Sequence, residues 1–223
     1  MTEQEIAETI VEIGRRVWQR GYVASSDGNI SARLNDELIM ITPTGVSKGF
    51  MNPRELAVVD FSGKPVRGKG RPSSEVFMHL AIYTHRPDIQ AVCHTHSPLA
   101  TAFAVAGIPL DQCLLQEVII SLGSVPLVPY GTTGTAEIYQ PLIRLLDRYD
   151  AFLLEKHGVV TLGQSLYDAY YKTETVEHFA QILLAAKQLG TVKGLPKEEV
   201  EKLIRRRSVY GIRDGLAGCQ YEE

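Results

Sequence analysis

The spacing of apolar residues predicts that helices and strands alternate along the chain. Between Ile6 and Val17, isoleucine and valine recur at intervals of three and four residues, as in an amphipathic helix that ends near Gly21. Two short apolar segments follow, in "DGNISARL" and "ELIMIT". They predict a hairpin of strands that turns at Asn35 and Asp36.

The rest of the chain continues this alternation. Further strands are predicted in "LAVVDFSGK", "IQAVCHTH", "SVPLVPY" and "AFLLEKHGVVTLG", and helices over about 75–85, 135–148, "SLYDAYYKTETVEHFAQILLAAKQL" and "PKEEVEKLIRRR". Because the early hairpin excludes a purely parallel sheet, we predict an α/β fold with a mixed, mainly antiparallel central β-sheet flanked by helices. A length of 223 residues fits a single domain over 1–223.

Composition narrows the possible partners. With a net charge of −3, the chain has no electrostatic reason to bind nucleic acid or an anionic membrane. No segment approaches the length of an uncharged membrane span, and acidic residues interrupt the N-terminal apolar pattern, unlike in a secretory signal. Cys93, Cys113 and Cys219 show no CxxC spacing, which argues against a disulfide framework. We therefore expect a cytoplasmic protein that has neither nucleic acid nor a membrane as its main partner.

Two histidines in "AVCHTHSPLA" are candidate metal ligands. Residues two apart on a strand point to the same side, so His94 and His96 would converge on one point. A metal needs further ligands, for which Glu75 in "RPSSEVF" and His157 in "LLEKHGVV" are candidates. Gly158 would allow a backbone bend that aims the His157 ring.

Each of these residues also has a purely structural interpretation. A pair of strand histidines can simply hydrogen-bond to water or backbone. Glu75 can stabilise a helix N-terminus through the helix dipole, and His157 can be a solvated turn residue. His79 follows Glu75 by four residues and is interpreted as a helix packing residue.

Three segments have the composition of an anion-binding site. They are "SSDGNIS" (25–31), "TPTG" (42–45) and "PSSE" (72–75), which combine hydroxyls, glycines and a predicted helix N-terminus. Together they indicate a phosphate, although each alone also fits an ordinary turn or helix cap. None matches a P-loop or a dinucleotide-binding motif.

The chain resembles the class II aldolase/adducin family over residues 5–215. The resemblance rests on Glu75, "HTH" and "KHG" in this order, and on "DGNIS", "ITPTG" and "RPSSE" around them. The resemblance implies a C4 homotetramer with active sites at subunit interfaces and one Zn²⁺ per subunit. The implied zinc ligands are Glu75, His94, His96 and His157. The implied phosphate-binding residues are Ser26, Gly28, Asn29, Thr44, Gly45, Ser73 and Ser74.

The resemblance also implies a reaction on a sugar phosphate. It is strongest to members that split L-fuculose 1-phosphate, or a similar ketose 1-phosphate, into dihydroxyacetone phosphate and L-lactaldehyde through a metal-stabilised enediolate. Glu75 would act as acid and base, and Tyr210 would pack near the substrate. Lys156 precedes a ligand on the predicted strand and should point to its opposite face, which favours metal over imine chemistry.

One departure from the family pattern leaves the reaction open. Aldolases of this type carry a catalytic tyrosine in the segment that here reads "LDQCLLQEVIISLG", which instead contains Glu117. A glutamate in this segment resembles the acid/base of related dehydratases. The alternative is therefore a zinc-dependent sugar-phosphate dehydratase, epimerase or decarboxylase that uses Glu117. A non-catalytic scaffold similar to the adducin head is a third possibility.

Overall fold

A mixed β-sheet forms the centre of the fold. The computed structural model describes residues 1–213 and 215–220. Its strands are β1 (Asn29–Arg33), β2 (Leu38–Ile41), β3 (Ala57–Asp60), β4 (Pro65–Gly68), β5 (Ala91–Thr95), β6 (Leu127–Val128), β7 (Ala151–Leu154) and β8 (Gly158–Gly163). In the described ranges they form one sheet of order β4-β3-β2-β1-β5-β8-β7-β6. All neighbouring pairs are antiparallel except β6 and β7, which confirms the predicted mixed, mainly antiparallel α/β fold.

Helices cover both faces of the sheet. They are α1 (Glu3–Gln19), α2 (Val76–His85), α3 (Pro98–Ala106), α4 (Gln116–Ser121), α5 (Gln140–Ile143), α6 (Leu166–Leu189) and α7 (Lys197–Arg205). The α1 helix is the predicted amphipathic helix, opened by a capping box between Thr2 and Glu5 and buried along its apolar stripe. No helix in 1–213 or 215–220 has both the length and the apolar character needed to cross a membrane.

The strand that carries the paired histidines lies deep in the sheet. All five residues of β5 are buried, and the strand pairs with β1 on one side and β8 on the other. The β1–β2 hairpin is the predicted one, with its turn held by the Asn35 side chain, which accepts from the N–H groups of Glu37 and Leu38. A buried central strand is a rigid support, because every backbone group is paired and every side chain is packed.

The predicted helix over 135–148 is wrong. The segment divides into a 3₁₀ turn over Ala136–Ile138, the four-residue helix α5, and turns that reach Arg148. Pro141 lies in the first turn of α5, where its missing N–H group costs nothing, whereas a longer helix would place it in the interior. The apolar pattern of this segment therefore reflects packing of turns rather than one continuous helix.

The cysteines also differ from the prediction. Cys113 and Cys219, 106 residues apart in sequence, form a disulfide. They meet because the C-terminal segment forms a parallel bridge from Gln220 to Gln112, a contact that short-range cysteine spacing cannot reveal. Cys93 is a buried free thiol in β5. The disulfide removes one ground for expecting a cytoplasmic location.

Candidate metal and phosphate site

Three histidines from two neighbouring parts of the sheet meet at one point. His94 lies near the end of β5, His96 directly after it, and His157 in the turn between β7 and β8. One ring nitrogen from each lies within 4.8 Å of the others. The alternation of side chains therefore brings His94 and His96 to the same side, and the β7–β8 turn adds the third imidazole.

Glu75 completes the cluster from the start of α2. Its Oε2 lies 3.3 Å from His94 Nε2, and its Oε1 lies 3.4 Å from His157 Nε2. The His94 side chain is fully buried, whereas that of His96 is 28% exposed. The cluster is thus closed on the His94 side and open to solvent on the His96 side.

The cluster fits a divalent metal ion. Burial lowers the pKa of His94 well below its ordinary value, and the neighbouring imidazoles lower it further, so the ring is neutral. Its Nδ1–H donates to the Val159 carbonyl at 2.9 Å, which leaves the Nε2 lone pair for a metal. Oε1 of Glu75 is buried without a hydrogen-bond partner. Three imidazoles and a carboxylate are a donor set that Zn²⁺ accepts.

Gly158 is needed for close packing rather than for a bend. Its φ angle is not in the left-handed region, which is occupied instead by Lys156 at 56°. A Cβ at position 158 would lie 2.5 Å from the Thr95 carbonyl oxygen, 2.9 Å from His96 Cδ2 and 3.2 Å from His94 Cε1. The prediction that Gly158 aims the His157 ring by a bend is therefore wrong, because the glycine makes room for the two facing imidazoles.

The predicted phosphate segments line the same cleft as the metal cluster. This cleft has a volume of about 360 Å³. Its lining comprises Ser26, Asp27, Gly28, Asn29, Pro43, Thr44, Gly45, Ser73, Ser74, Glu75, His96, Thr133 and His157. The fold thus places all seven candidate phosphate-binding residues beside the candidate metal ligands.

Two of these seven residues have additional roles in the structure. Gly28 has a φ of 71°, and a Cβ there would lie 2.8 Å from the His94 carbonyl oxygen, so only glycine lets this loop pass against β5. The Asn29 side chain is buried, and its Nδ2 donates to Glu75 Oε2 at 2.7 Å. The Asn29 amide is therefore engaged with a candidate metal ligand.

Asp27 and Thr133 line the cleft but were not predicted. Asp27 Oδ2 lies 3.6 Å from His96 Nδ1, on the open side of the cluster. Asp27 lies within "SSDGNIS", so its position in the sequence indicates that it is near the site. Its carboxylate does not suit an anion site, unlike the hydroxyl, glycine and amide groups of that segment. Thr133 had no signal, because it comes from a loop distant in sequence.

Lys48 is a further residue that the sequence did not indicate. It is almost fully buried, and its Nζ donates to the Ser26 carbonyl at 2.8 Å and to the Val46 carbonyl at 2.9 Å. One ammonium group thus connects the first phosphate segment (25–31) with the residue that directly follows the second (42–45). Burial lowers its pKa from 10.5 to about 8, although Asp27 opposes this shift.

The lowered pKa of Lys48 predicts a pH dependence of stability. Below pH 8 the amine is charged in both the folded and the unfolded protein, so the cost of burying the charge lowers the free energy of unfolding in full. Between pH 8 and 10.5 the unfolded chain binds more protons than the folded one, and stability therefore rises. We expect the unfolding free energy of wild type to increase relative to Lys48→Met by on the order of 3 kcal/mol over this window. Urea denaturation of both proteins at several pH values measures this, and a constant or falling difference would contradict it.

Three other residues considered in the sequence lie outside the cleft. Glu117 is exposed on α4, and Tyr210 lines a different cleft together with Arg86 and Asp150. Lys156 is 61% exposed, and its Nζ lies 3.9 Å from Glu155. Lys156 is in a turn rather than on a strand. Its side chain does point away from the cleft, but not because side chains alternate along a strand. Within one chain, neither Glu117 nor Tyr210 reaches the metal cluster.

Comparison with known proteins agrees with this architecture. The family described as "Class II Aldolase and Adducin N-terminal domain" matches residues 8–184. An L-fuculose phosphate aldolase of Methanococcus vannielii is 41% identical over 172 residues, covering 77% of this chain and 92% of that protein. A 3-oxo-tetronate 4-phosphate decarboxylase of Escherichia coli K12 is 37% identical over 185 residues, covering 81% and 87%. A solved L-fuculose 1-phosphate aldolase superposes with a TM-score of 0.83 at 30% identity, covering 92% and 96%. The chain belongs to the class II aldolase and adducin family.

Proposed function

We propose that the protein is a zinc-dependent lyase that breaks a carbon–carbon bond beside the carbonyl group of a phosphorylated keto sugar. The observation that carries this proposal is the shared cleft. Candidate ligands for one metal ion lie on one side of it, and three segments suited to a phosphate line the rest. A complete set of this kind has no purpose in a non-catalytic scaffold.

The first candidate reaction is cleavage of L-fuculose 1-phosphate or a similar ketose 1-phosphate. Bound Zn²⁺ would supply a Lewis acid for the carbonyl oxygen of the substrate. The bond between C3 and C4 breaks, and its electron pair moves towards the C2 carbonyl. The C4 hydroxyl gives its proton to water as that carbon becomes an aldehyde, and Glu75 takes up a proton from water. Glu75, beside the cluster, returns a proton to C3. The products are dihydroxyacetone phosphate and L-lactaldehyde.

The second candidate reaction is decarboxylation of 3-oxo-tetronate 4-phosphate. Here the bond between C1 and C2 breaks, CO₂ leaves, and the electron pair moves towards the C3 carbonyl. Protonation of C2 again gives dihydroxyacetone phosphate. Both reactions thus leave the same three-carbon fragment and need the same proton from Glu75. Glu117, in place of the aldolase tyrosine, favours this second reaction. Similarity does not separate the two reactions, because relatives named for each are 41% and 37% identical to this chain.

The phosphate segments have the same role in either reaction. Ser26, Thr44 and Ser73 lie on three different loops around the cleft. Together with the backbone N–H groups of these loops, they would bind the phosphate at a fixed distance from the cluster. Binding energy at the unreactive end then orients the reacting carbons.

A second subunit would complete the site. Glu117 and Tyr210 do not line the cleft of their own chain, although the family pattern places both near the substrate. A C4 homotetramer with the cleft at the subunit interface would bring them to the substrate from a neighbour. In this arrangement the protein has no need of a nucleic acid or membrane partner.

An assay that separates the two reactions tests the proposal. Purified zinc-loaded protein is incubated with L-fuculose 1-phosphate and, separately, with 3-oxo-tetronate 4-phosphate, and dihydroxyacetone phosphate is measured by enzymatic reduction. We expect release from at least one substrate, accompanied by aldehyde in the first case and by CO₂ in the second. Release from neither substrate by metal-loaded protein would contradict the proposed function.

A further inference from the structure

A line of buried polar side chains leads from Glu75 into the core. Asn29 Nδ2 is 2.7 Å from Glu75 Oε2, and the Asn29 Oδ1 contacts His79 Nε2. On the far side of the ring, His79 Nδ1 is 2.6 Å from Ser31 Oγ, which is 2.8 Å from the Tyr83 hydroxyl. All five side chains are buried. Apolar residues would fill this space at lower cost, so the network calls for an explanation beyond packing.

The direction of every hydrogen bond in this line follows from Glu75. A carboxylate only accepts, so Asn29 must present its NH₂ group to Glu75 and its oxygen to His79. That oxygen requires a proton on His79 Nε2. Burial lowers the pKa of His79 to about 4, so the ring is neutral at physiological pH and its Nδ1 is an acceptor. Nδ1 therefore accepts from the Ser31 hydroxyl, whose oxygen accepts from Tyr83.

This arrangement fixes which oxygen of Glu75 is free. Oε2 accepts from Asn29, whereas Oε1 has no hydrogen-bond partner and lies 3.4 Å from His157 Nε2. Without His79, the Asn29 amide has no partner that opposes its rotation by 180°. The flipped amide would present its oxygen to the carboxylate and repel it.

We propose that His79 is a positioning residue, which acts through Asn29 to hold Glu75 with one oxygen facing the metal cluster. The proposal rests on the proposed function in assigning Glu75 to the metal. The proposal adds this role to the interpretation of His79 as a helix packing residue, which its full burial on α2 fits. Its specific requirement is a hydrogen on Nε2, which packing alone would not demand.

Nuclear magnetic resonance on the metal-free wild type tests the direction of the network. Long-range ¹H–¹⁵N correlation spectra distinguish a protonated from an unprotonated ring nitrogen in each histidine. For His79 we expect hydrogen on Nε2 and none on Nδ1 throughout pH 6–8. Hydrogen on Nδ1 in this range, alone or on both nitrogens, would overturn the proposal. This result is independent of whether the protein cleaves either sugar phosphate.

Metal titration of three variants tests the effect on Glu75. Zn²⁺ is titrated into metal-free protein against a competing chelator. His79→Gln keeps an N–H group near the position of Nε2, whereas His79→Leu removes it at similar volume. We expect His79→Leu to weaken zinc binding by about 10- to 100-fold and His79→Gln by less than about tenfold. Tyr83→Phe is the matched control, because Ser31 still donates to His79, and its zinc affinity should equal that of wild type.

Equal losses in the leucine and glutamine variants would overturn the proposal and leave His79 as a packing residue. If His79→Leu does not fold, two measurements still test the proposal. They are the zinc affinity of His79→Gln against wild type and the tautomer of His79. A wild type that binds no zinc would contradict the proposed function, whereas the tautomer result would stand by itself.

Discussion

Glu75→Gln is expected to lose catalysis even when zinc is supplied in excess, which offsets the weaker binding that loss of the carboxylate ligand causes. Glutamine has nearly the shape of glutamate, and its amide oxygen can accept from Asn29 Nδ2 as the carboxylate does. The three imidazoles remain to hold Zn²⁺. Glutamine cannot return a proton to the carbon left by bond cleavage. We therefore expect dihydroxyacetone phosphate release to fall by about 10²- to 10⁴-fold.

The measurement pairs activity with zinc content on the same sample. Glu8→Gln serves as control, because it removes a carboxylate from the exposed face of α1 and Glu8 does not line the cleft. This control should match wild type in both readouts. A Glu75→Gln protein that retains more than a tenth of wild-type activity would show that another group transfers the proton.

Gly158→Ala is expected to remove the metal site. The added methyl group would overlap the Thr95 carbonyl and press on the His94 and His96 rings. Backbone at the end of a buried strand cannot retreat, so the imidazoles must move apart. Overpacking of this kind costs about 1–3 kcal/mol of stability. We expect zinc binding to weaken by about 10- to 100-fold and cleavage to fall with it.

Gly194→Ala is the matched control for this substitution. Its added Cβ would make an ordinary contact of 3.5 Å with the Cys113 carbonyl oxygen, and its φ is not left-handed. It should therefore bind zinc as wild type does. Zinc affinity and thermal stability are measured for both variants. An alanine at 158 that binds zinc normally would mean that the ligands are not held as the structure places them.

Much of the fold followed from local sequence pattern. The α1 stripe, the β1–β2 hairpin, the strand with the paired histidines and the long helix α6 each have a strong periodic or turn signal, and each was predicted. The 135–148 helix failed because apolar spacing does not register the position of Pro141. Strand β4 and helices α3 and α4 were missed, because they are short and their apolar residues lack a clear period.

The candidate site was predictable where its residues lie in compact motifs. "HTH" and "RPSSE" contain both the residue types and the spacing that chemistry needs. The local sequence could not predict the contacts of Lys48 and His79. Lys48 donates to the Ser26 carbonyl across a folded loop, and His79 contacts side chains of strand β1. The bond between Cys113 and Cys219 likewise depends on a contact that only the complete fold creates.

The most direct test of the account is the metal content of purified protein, wild type beside His96→Ala, with dihydroxyacetone phosphate release followed on the same samples. His96 is the most exposed of the three imidazoles, so its removal should disturb the core least. We predict about one zinc per wild-type chain, and joint loss of zinc and product release in the variant. A wild-type protein that acquires no metal when zinc is supplied, or a variant that keeps both zinc and product release, would contradict the account.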